Sequence, residues 1–298
     1  MGVNNLTKNL ILTPFNILYK ISPETTLKLL FYIKQGYPLN LQEPQTYNEK
    51  IQWIKLYDRN PLMPKCCDKF TVRKYAADRG CGAILNTLIW DGYDPRDIPF
   101  DSLPDKFVIK VTHGSTFNIL CRDKTKLNRE KAVRKCRKWL KAKFLPCYGE
   151  WFYGKVKPRV IIEKYLEDAQ SGHKDLLDYK IYCFNGHPRY IRVMSDRYSN
   201  LRDTIYDTDW NLLKDCNMGY PCTNKAERKP DCLKEMLDYA EKLSRDFKHA
   251  RVDFYIVNGH IVFGEITFSS GAGFDKFSSY EFDLEMGRQL DLKQRTLK

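Results

Sequence analysis

The chain has 298 residues, 43% of them hydrophobic and 13% aromatic, which excludes a disordered polymer and allows one large domain or two lobes sharing a cleft. Fifty basic against 37 acidic residues leave a formal charge of +13, which suits an anionic partner: a nucleotide, a nucleic acid, an acidic glycan or a membrane surface. Ten cysteines are scattered with no CxxC pair, so no zinc site is expected; with no cleavable apolar leader in view, reduced thiols in a reducing compartment are the expectation.

Residues 1–67 read as helical. Leu10–Tyr19 and Leu27–Ile33 are amphipathic, flanked by Lys8, Lys20, Lys28 and Lys34. They read as core helices, with contact to a membrane surface as the alternative. No apolar run is long enough to span a bilayer. Thr46, Asn48 and Glu49 mark a helix start, with Ile51, Trp53, Ile54 and Leu56 as its apolar face, and Pro61 and Pro64 break the pattern. A further helix runs from Asp68 through Val72 and Tyr75 to Gly80 and Gly82.

Asp105–Val111 is a β-branched strand. His113–Asn118 is a polar hairpin tip that returns through Ile119–Cys121, and Lys126–Lys143 is a basic helix. Val160–Glu163 and Tyr179–Phe184 are strands; the second turns at Asn185-Gly186 and pairs with Arg189–Met194. Pro230–Lys248 is a helix. Arg251–Val257 and Ile261–Thr267 form a hairpin about Asn258-Gly259, followed by a Gly/Ser-rich loop and a short helix. Helices mixed with hairpins make the chain α+β or α/β.

Four stretches can carry chemistry. Asp253 and Glu265 fall near each other across the last hairpin, on the face expected to hold Tyr255 and Phe263. Paired carboxylates repel unless a cation or a proton sits between them, and a hard cation such as Mg²⁺ carrying nucleotide phosphates meets that need. Solvated acids, or one paired with Arg251, are the other account. In Lys106–Asn118, Lys110 ends a strand and Gly114, Ser115 and Thr116 follow; such a loop can wrap phosphates, although a hairpin turn explains it too. Val160–Asp168 ends in Glu163, Lys164, Tyr165 and Leu166, where a strand exit can offer backbone groups to an adenine edge, or is simply a charged strand end. Asp68 is a helix cap, and Lys69 beside it can reach a phosphate.

The order of these pieces resembles the ATP-grasp superfamily. Thr46–Tyr57, Asp68–Arg73, Leu103–His113, Asp178–Gly186 and Arg251–Gly273 together resemble its TupA-like members, from gene clusters for bacterial surface polysaccharides. That resemblance implies an α+β ATP-grasp fold: a helical region over 1–67, then an ATP-grasp domain over 68–298, with a mobile lid lobe at about 104–163 and a metal-binding lobe at 164–298. It implies ATP and Mg²⁺ as cofactors. Lys69 and Lys110 match the nucleotide lysines, and His113, Gly114 and Ser115 the flap. Glu163, Lys164, Tyr165 and Leu166 match the adenine hinge, and Asp253 and Glu265 the Mg²⁺ carboxylates. Thr267 stands where many relatives carry asparagine. Lys180 and Arg197 stand where related ligases present catalytic basic groups, or are surface charges. Ser269, Ser270, Gly271 and Gly273 resemble a loop lining the acceptor pocket.

The implied activity is carboxylate–amine ligation through an acyl phosphate, joining an amino acid or amine to a uronic-acid carboxylate of an acidic glycan or lipid-linked saccharide. The implied place is the cytoplasm, at or near the inner face of the membrane. Two other enzyme readings stay open: a glycosyltransferase, for which Asp207-Thr208-Asp209 would be the metal motif, and an ATP-grasp sugar kinase. Nucleic acid is not expected as a partner, because the basic residues are spread out and no aromatic RNA-binding signature appears.

Overall fold

The computed structural model describes residues 5–168, 175–195, 201–223 and 225–293. The chain opens with three helices, α1 (Asn5–Ile21), α2 (Pro23–Gln35) and α3 (Tyr47–Tyr57). The start of α3 is a reciprocal cap. The Thr46 hydroxyl accepts the Glu49 N–H at 3.2 Å, and the Glu49 carboxylate accepts the Thr46 N–H at 3.0 Å. Asn48 has a different task, donating to Asp283 Oδ2 at 2.9 Å. Two short helices follow, α4 (Met63–Cys66) and α5 (Thr71–Asp78). Asp68 Oδ1 accepts the N–H groups of Phe70 at 3.0 Å and Thr71 at 2.9 Å, so it caps the approach to α5 as its residue type suggested.

The first sheet contains β1 (Leu88–Gly92), β2 (Phe107–Val111), β3 (Asn118–Cys121) and β4 (Val160–Lys164), in the antiparallel order β1-β4-β2-β3. Helix α6 (Arg129–Leu140) lays Ala132 and Cys136 against it, in an apolar cluster with Phe107, Ile109 and Ile162. The second sheet contains β5 (Asp178–Phe184), β6 (His187–Ser195), β7 (Arg202–Asp207), β8 (His249–Val257) and β9 (His260–Thr267), in the order β7-β6-β5-β8-β9. Helix α7 (Leu233–Ser244) covers one face of it with Met236, Ala240 and Leu243. The last helix, α8 (Tyr280–Arg288), packs on α3, where Lys50 Nζ donates to the Gly287 and Leu290 carbonyls at 2.8 and 2.6 Å. Helices on antiparallel sheets make the fold α+β.

Two changes concern strands. An edge strand not anticipated from the sequence, β7, runs through Tyr206 and ends at Asp207. Its carboxylate accepts the N–H groups of Asp209 at 3.0 Å and Asn211 at 2.8 Å, so the Asp-Thr-Asp string is a turn. The second change concerns the last hairpin. Its turn is as expected, with Asn258 and Gly259 at φ 50° and 80°. Counting from that turn pairs Asp253 with Gly264. The observed register pairs Phe254 with Phe263 but Asp253 with Glu265, so Gly264 is a bulge residue. An added Cβ at Gly264 would sit 3.0 Å from the Asp253 carbonyl oxygen. Phe263 therefore lies with Phe254 in the core and not on the Asp253 face, and the bulge turns Glu265 back beside Asp253.

Candidate functional site

The face of the second sheet opposite α7 carries a row of four ionic side chains, three of them buried. Cross-strand register places Arg192 on β6, Lys180 on β5, Asp253 on β8 and Glu265 on β9 side by side. One step along lies a second row, Tyr182, Arg251 and Thr267. Strand alternation puts all seven on one face. Two positive and two negative charges in one row settle as ion pairs. Lys180 Nζ reaches Asp253 Oδ2 at 2.7 Å and Asp178 Oδ2 at 3.3 Å. Arg251 forks onto Asp253 at 2.7 and 2.8 Å and donates to Thr267 Oγ1 and Ser270 Oγ, each at 3.0 Å.

Lys69 joins this face to the first sheet. Its side chain meets Glu265 Oε2 at 3.0 Å, while its backbone N–H donates to the Thr112 carbonyl at the end of β2. The Glu265 carboxyl is held well below the usual carboxylate range, first by the Lys69 charge and then by Arg251 and Lys180, against the cost of burial. On the first sheet, Lys110 Nζ lies 2.6 Å from Glu163 Oε2, and Arg73 of α5 lies 3.2 Å from Glu163 Oε1. Arg73 also donates to the Asn86 carbonyl at 2.8 Å.

The proposed hinge leaves the sheet at Lys164. That residue's N–H donates to the Thr87 carbonyl at 3.0 Å and its carbonyl accepts from Asn86 Nδ2 at 2.9 Å. The backbone groups beyond the strand pairing belong to Tyr165 and Leu166, and the Tyr165 hydroxyl accepts from Arg122 Nε at 2.8 Å. In the flap, Ser115 and Thr116 are exposed at the tip. Gly114 is required by Phe117, whose ring folds back to 2.0 Å from where a Cβ would stand. His113 is buried at the root of the flap, beside Phe117 and Phe144, with Nε2 3.0 Å from the Ala142 carbonyl. Arg197 lies outside the described residues.

Reading the sequence missed Arg73 and Arg192 and underused Arg251. Arg192 is buried and bidentate to Asp203, at 2.8 Å on each arm. The signal available for Arg251 was its place two residues before Asp253, on the same strand face.

The donor chemistry fits a hard divalent cation. Asp253, Glu265 and the Thr267 hydroxyl offer only oxygen, and phosphate oxygens and water would complete such a shell. Among the described residues no cluster of three or more His, Cys, Asp or Glu side chains could hold a metal. Glu265 is the accessible carboxylate, with its side chain 37% exposed; that of Asp253 is 3% exposed and pinned by Arg251 and Lys180.

A family profile described as TupA-like ATPgrasp matches residues 49–291. No curated protein matches the chain. Among solved structures, the chain is similar to an L-amino acid ligase from Bacillus licheniformis, with 15% identity, 85% of this chain and 56% of that one covered, and a TM-score of 0.47. It is similar to a D-alanine–D-alanine ligase from Helicobacter pylori, with 16% identity, coverage of 82% and 69%, and a TM-score of 0.45. It is also similar to a Bacillus anthracis D-alanine–D-alanine ligase complexed with ATP, with 16% identity, coverage of 68% and 54%, and a TM-score of 0.41. The chain thus spans about half the length of the last of these proteins.

Proposed function

The chain belongs to the TupA-like ATP-grasp family, and on that premise we propose that it is an ATP-dependent carboxylate–amine ligase working through an acyl phosphate. The observation that carries this reading is the ionic row Lys180–Asp253–Glu265, with Arg251 and Lys69 closing on it from two sides. Phosphoryl transfer to a carboxylate brings several negative oxygens together, and the protein's part is to neutralise and position them. Lys180, Arg251 and Lys69 stand around Asp253 and Glu265, a grouping of charges suited to a metal-bound triphosphate.

Residues take roles by position. Tyr165 and Leu166 hold the adenine edge, with Glu163 and Lys164 as their strand support. Lys110 exchanges Glu163 for a phosphate, and Arg73 keeps Glu163 neutralised when it does. The flap tip at Gly114–Ser115 covers the phosphates and excludes water. Lys69 and Lys180 balance the phosphate end, and Arg251 reaches the transferring group. Asp253, Glu265 and Thr267 would hold Mg²⁺, which supplies Lewis-acid charge stabilisation at the phosphates when bound.

The acceptor is a uronic-acid carboxylate of an acidic surface glycan or lipid-linked saccharide, and the nucleophile an amino acid or amine. Support for the acceptor comes from the family and from the basic face of α6, where Arg134, Arg137 and Lys138 make no ion pair among the described residues. All ten cysteines are free thiols, in keeping with a cytoplasmic place of work. No helix among the described residues is long and apolar enough to cross a membrane. Exposed Ile17, Ile21, Leu29 and Ile33 on α1 and α2 support work at the inner membrane face.

The test is a screen for ADP release, pairing amino acids with uronic-acid oligosaccharides in the presence of Mg²⁺. Release that needs both partners is expected. A nucleoside diphosphate released from a sugar-nucleotide donor, or phosphate moved to a sugar hydroxyl without any amine, would overturn the ligase reading.

A further inference from the structure

A cavity of about 700 Å³ opens between α1, the root of the flap and the segment that leads from α6 to β4. Its walls include Phe144, Trp151 and Tyr153, with the Phe144 and Tyr153 rings stacked at 4.3 Å. Two buried polar atoms among its lining residues have no hydrogen-bond partner, His113 Nδ1 and Trp151 Nε1. His113 is 4% exposed.

The bonding of His113 determines what its free nitrogen can do. Nε2 faces the Ala142 carbonyl, which only accepts, so Nε2 carries the proton. In the neutral ring Nδ1 is then an acceptor, and it suits an N–H group. Glu150 adds a second acceptor in the same cavity, with Oε1 fixed by the Ser269 hydroxyl at 2.5 Å. Trp151 Nε1 can only donate, so it suits an oxygen such as a carboxylate. Lys141, Lys143 and Lys155 also line the cavity, are exposed, and make no ion pair among the described residues. Two acceptors, one donor and three cations among the lining residues complement a zwitterion.

The cavity adjoins the ionic row. Ser269, which holds Glu150, lies two residues past Thr267. Tyr153 is near enough to both Glu150 and Glu265 that, after burial, their charges raise its phenol. Lys55 braces the arrangement from α3, donating to the Tyr148 and Ala272 carbonyls at 2.7 and 2.6 Å and so tying the cavity segment to the Ser269–Gly273 loop.

We propose that this cavity binds the nucleophilic substrate as an amino-acid zwitterion, with its ammonium group on Glu150 and His113 and its carboxylate on Trp151 and the lysines. The proposal rests on the ligase reading and adds that the nucleophile carries its own carboxylate. Two of the residues involved, Glu150 and Trp151, stand outside every motif the nucleotide site uses.

Calorimetric titration tests it, on protein loaded with Mg²⁺ and the imido analogue of ATP. The probes are L-alanine and ethylamine, matched except for the carboxylate. L-Alanine is expected to bind at least about tenfold more tightly than ethylamine, which a charge-assisted contact can supply. Glu150→Gln should weaken L-alanine at least tenfold and leave nucleotide affinity unchanged. The double variant Lys143→Glu, Lys155→Glu should remove the preference over ethylamine. Failure of the analogue to bind would remove the ligase reading itself. Nucleotide binding with no L-alanine binding, or with no loss in Glu150→Gln, overturns the zwitterion pocket alone.

Discussion

Replacing Glu265 by glutamine removes one charge from the ionic row and keeps the side chain's size. In the native protein its carboxylate faces Lys69 Nζ at 3.0 Å and Arg251 Nη2 at 3.6 Å. The side chain is 37% exposed, so water screens the pair, and losing it costs about 1 kcal/mol of stability or less. For a chain of this size that is about 2 °C in melting temperature. Turnover should fall much further. Removing one preorganised electrostatic partner at a reacting centre costs on the order of 100- to 1,000-fold, or about 3–4 kcal/mol of barrier. The assay is Mg²⁺-dependent ADP formation, beside thermal unfolding of the same samples. Acid should separate the two proteins as well. Because the folded-state pKa of Glu265 is depressed, its contribution is present above the ordinary value of 4.5 and lost as pH falls, so the variant's acid slope is shallower. Turnover within about threefold of wild type in Glu265→Gln would refute the assignment of this carboxylate to the phosphate end.

Burial pushes the His249 pKa down from 6.5 to about 4, with Nδ1 3.0 Å from the Phe268 carbonyl and Nε2 3.2 Å from the Tyr47 hydroxyl. The unfolded chain therefore takes a proton that the folded one refuses, and stability drops as pH falls through that window, by at most about 3 kcal/mol. Urea unfolding across those pH values should show a smaller drop in His249→Gln than in wild type; equal slopes would contradict it. Gly287→Ala would place a Cβ 2.0 Å from the Gln45 carbonyl, where α8 crosses the start of α3. It should destabilise by about 2–3 kcal/mol, read from chemical denaturation, and an unchanged midpoint would show that the two helices can separate at no cost.

The elements with strong local signals were legible from sequence. Thr46 and Glu49 announced α3, Asn258-Gly259 announced the final hairpin, and β-branched runs announced β2 and β4. β1 escaped because Leu88–Gly92 is half-buried throughout and has no alternation to read. β7 escaped because, with Asp203 and Thr204 buried, its sequence lacks the apolar pattern of a strand; Asp203 is inside because Arg192 neutralises it. The acidic pair was found by proximity, but its mechanism was not. Only the Gly264 bulge, a single extra residue, brings Glu265 opposite Asp253. The cations were harder still. Arg73 and Lys69 reach carboxylates 90 and 196 residues away in the chain, and no spacing rule encodes such contacts.

Calorimetric titration of ATP tests the central claim, a metal-dependent nucleotide site between the two sheets. Wild-type protein should bind ATP with Mg²⁺ present and lose affinity when it is chelated. Lys110→Met, on the first sheet, and Asp253→Asn, on the second, should each weaken binding at least about tenfold, as expected for losing a charged phosphate or metal contact. Absence of ATP binding by the wild-type chain, or wild-type affinity in either variant, would contradict the account.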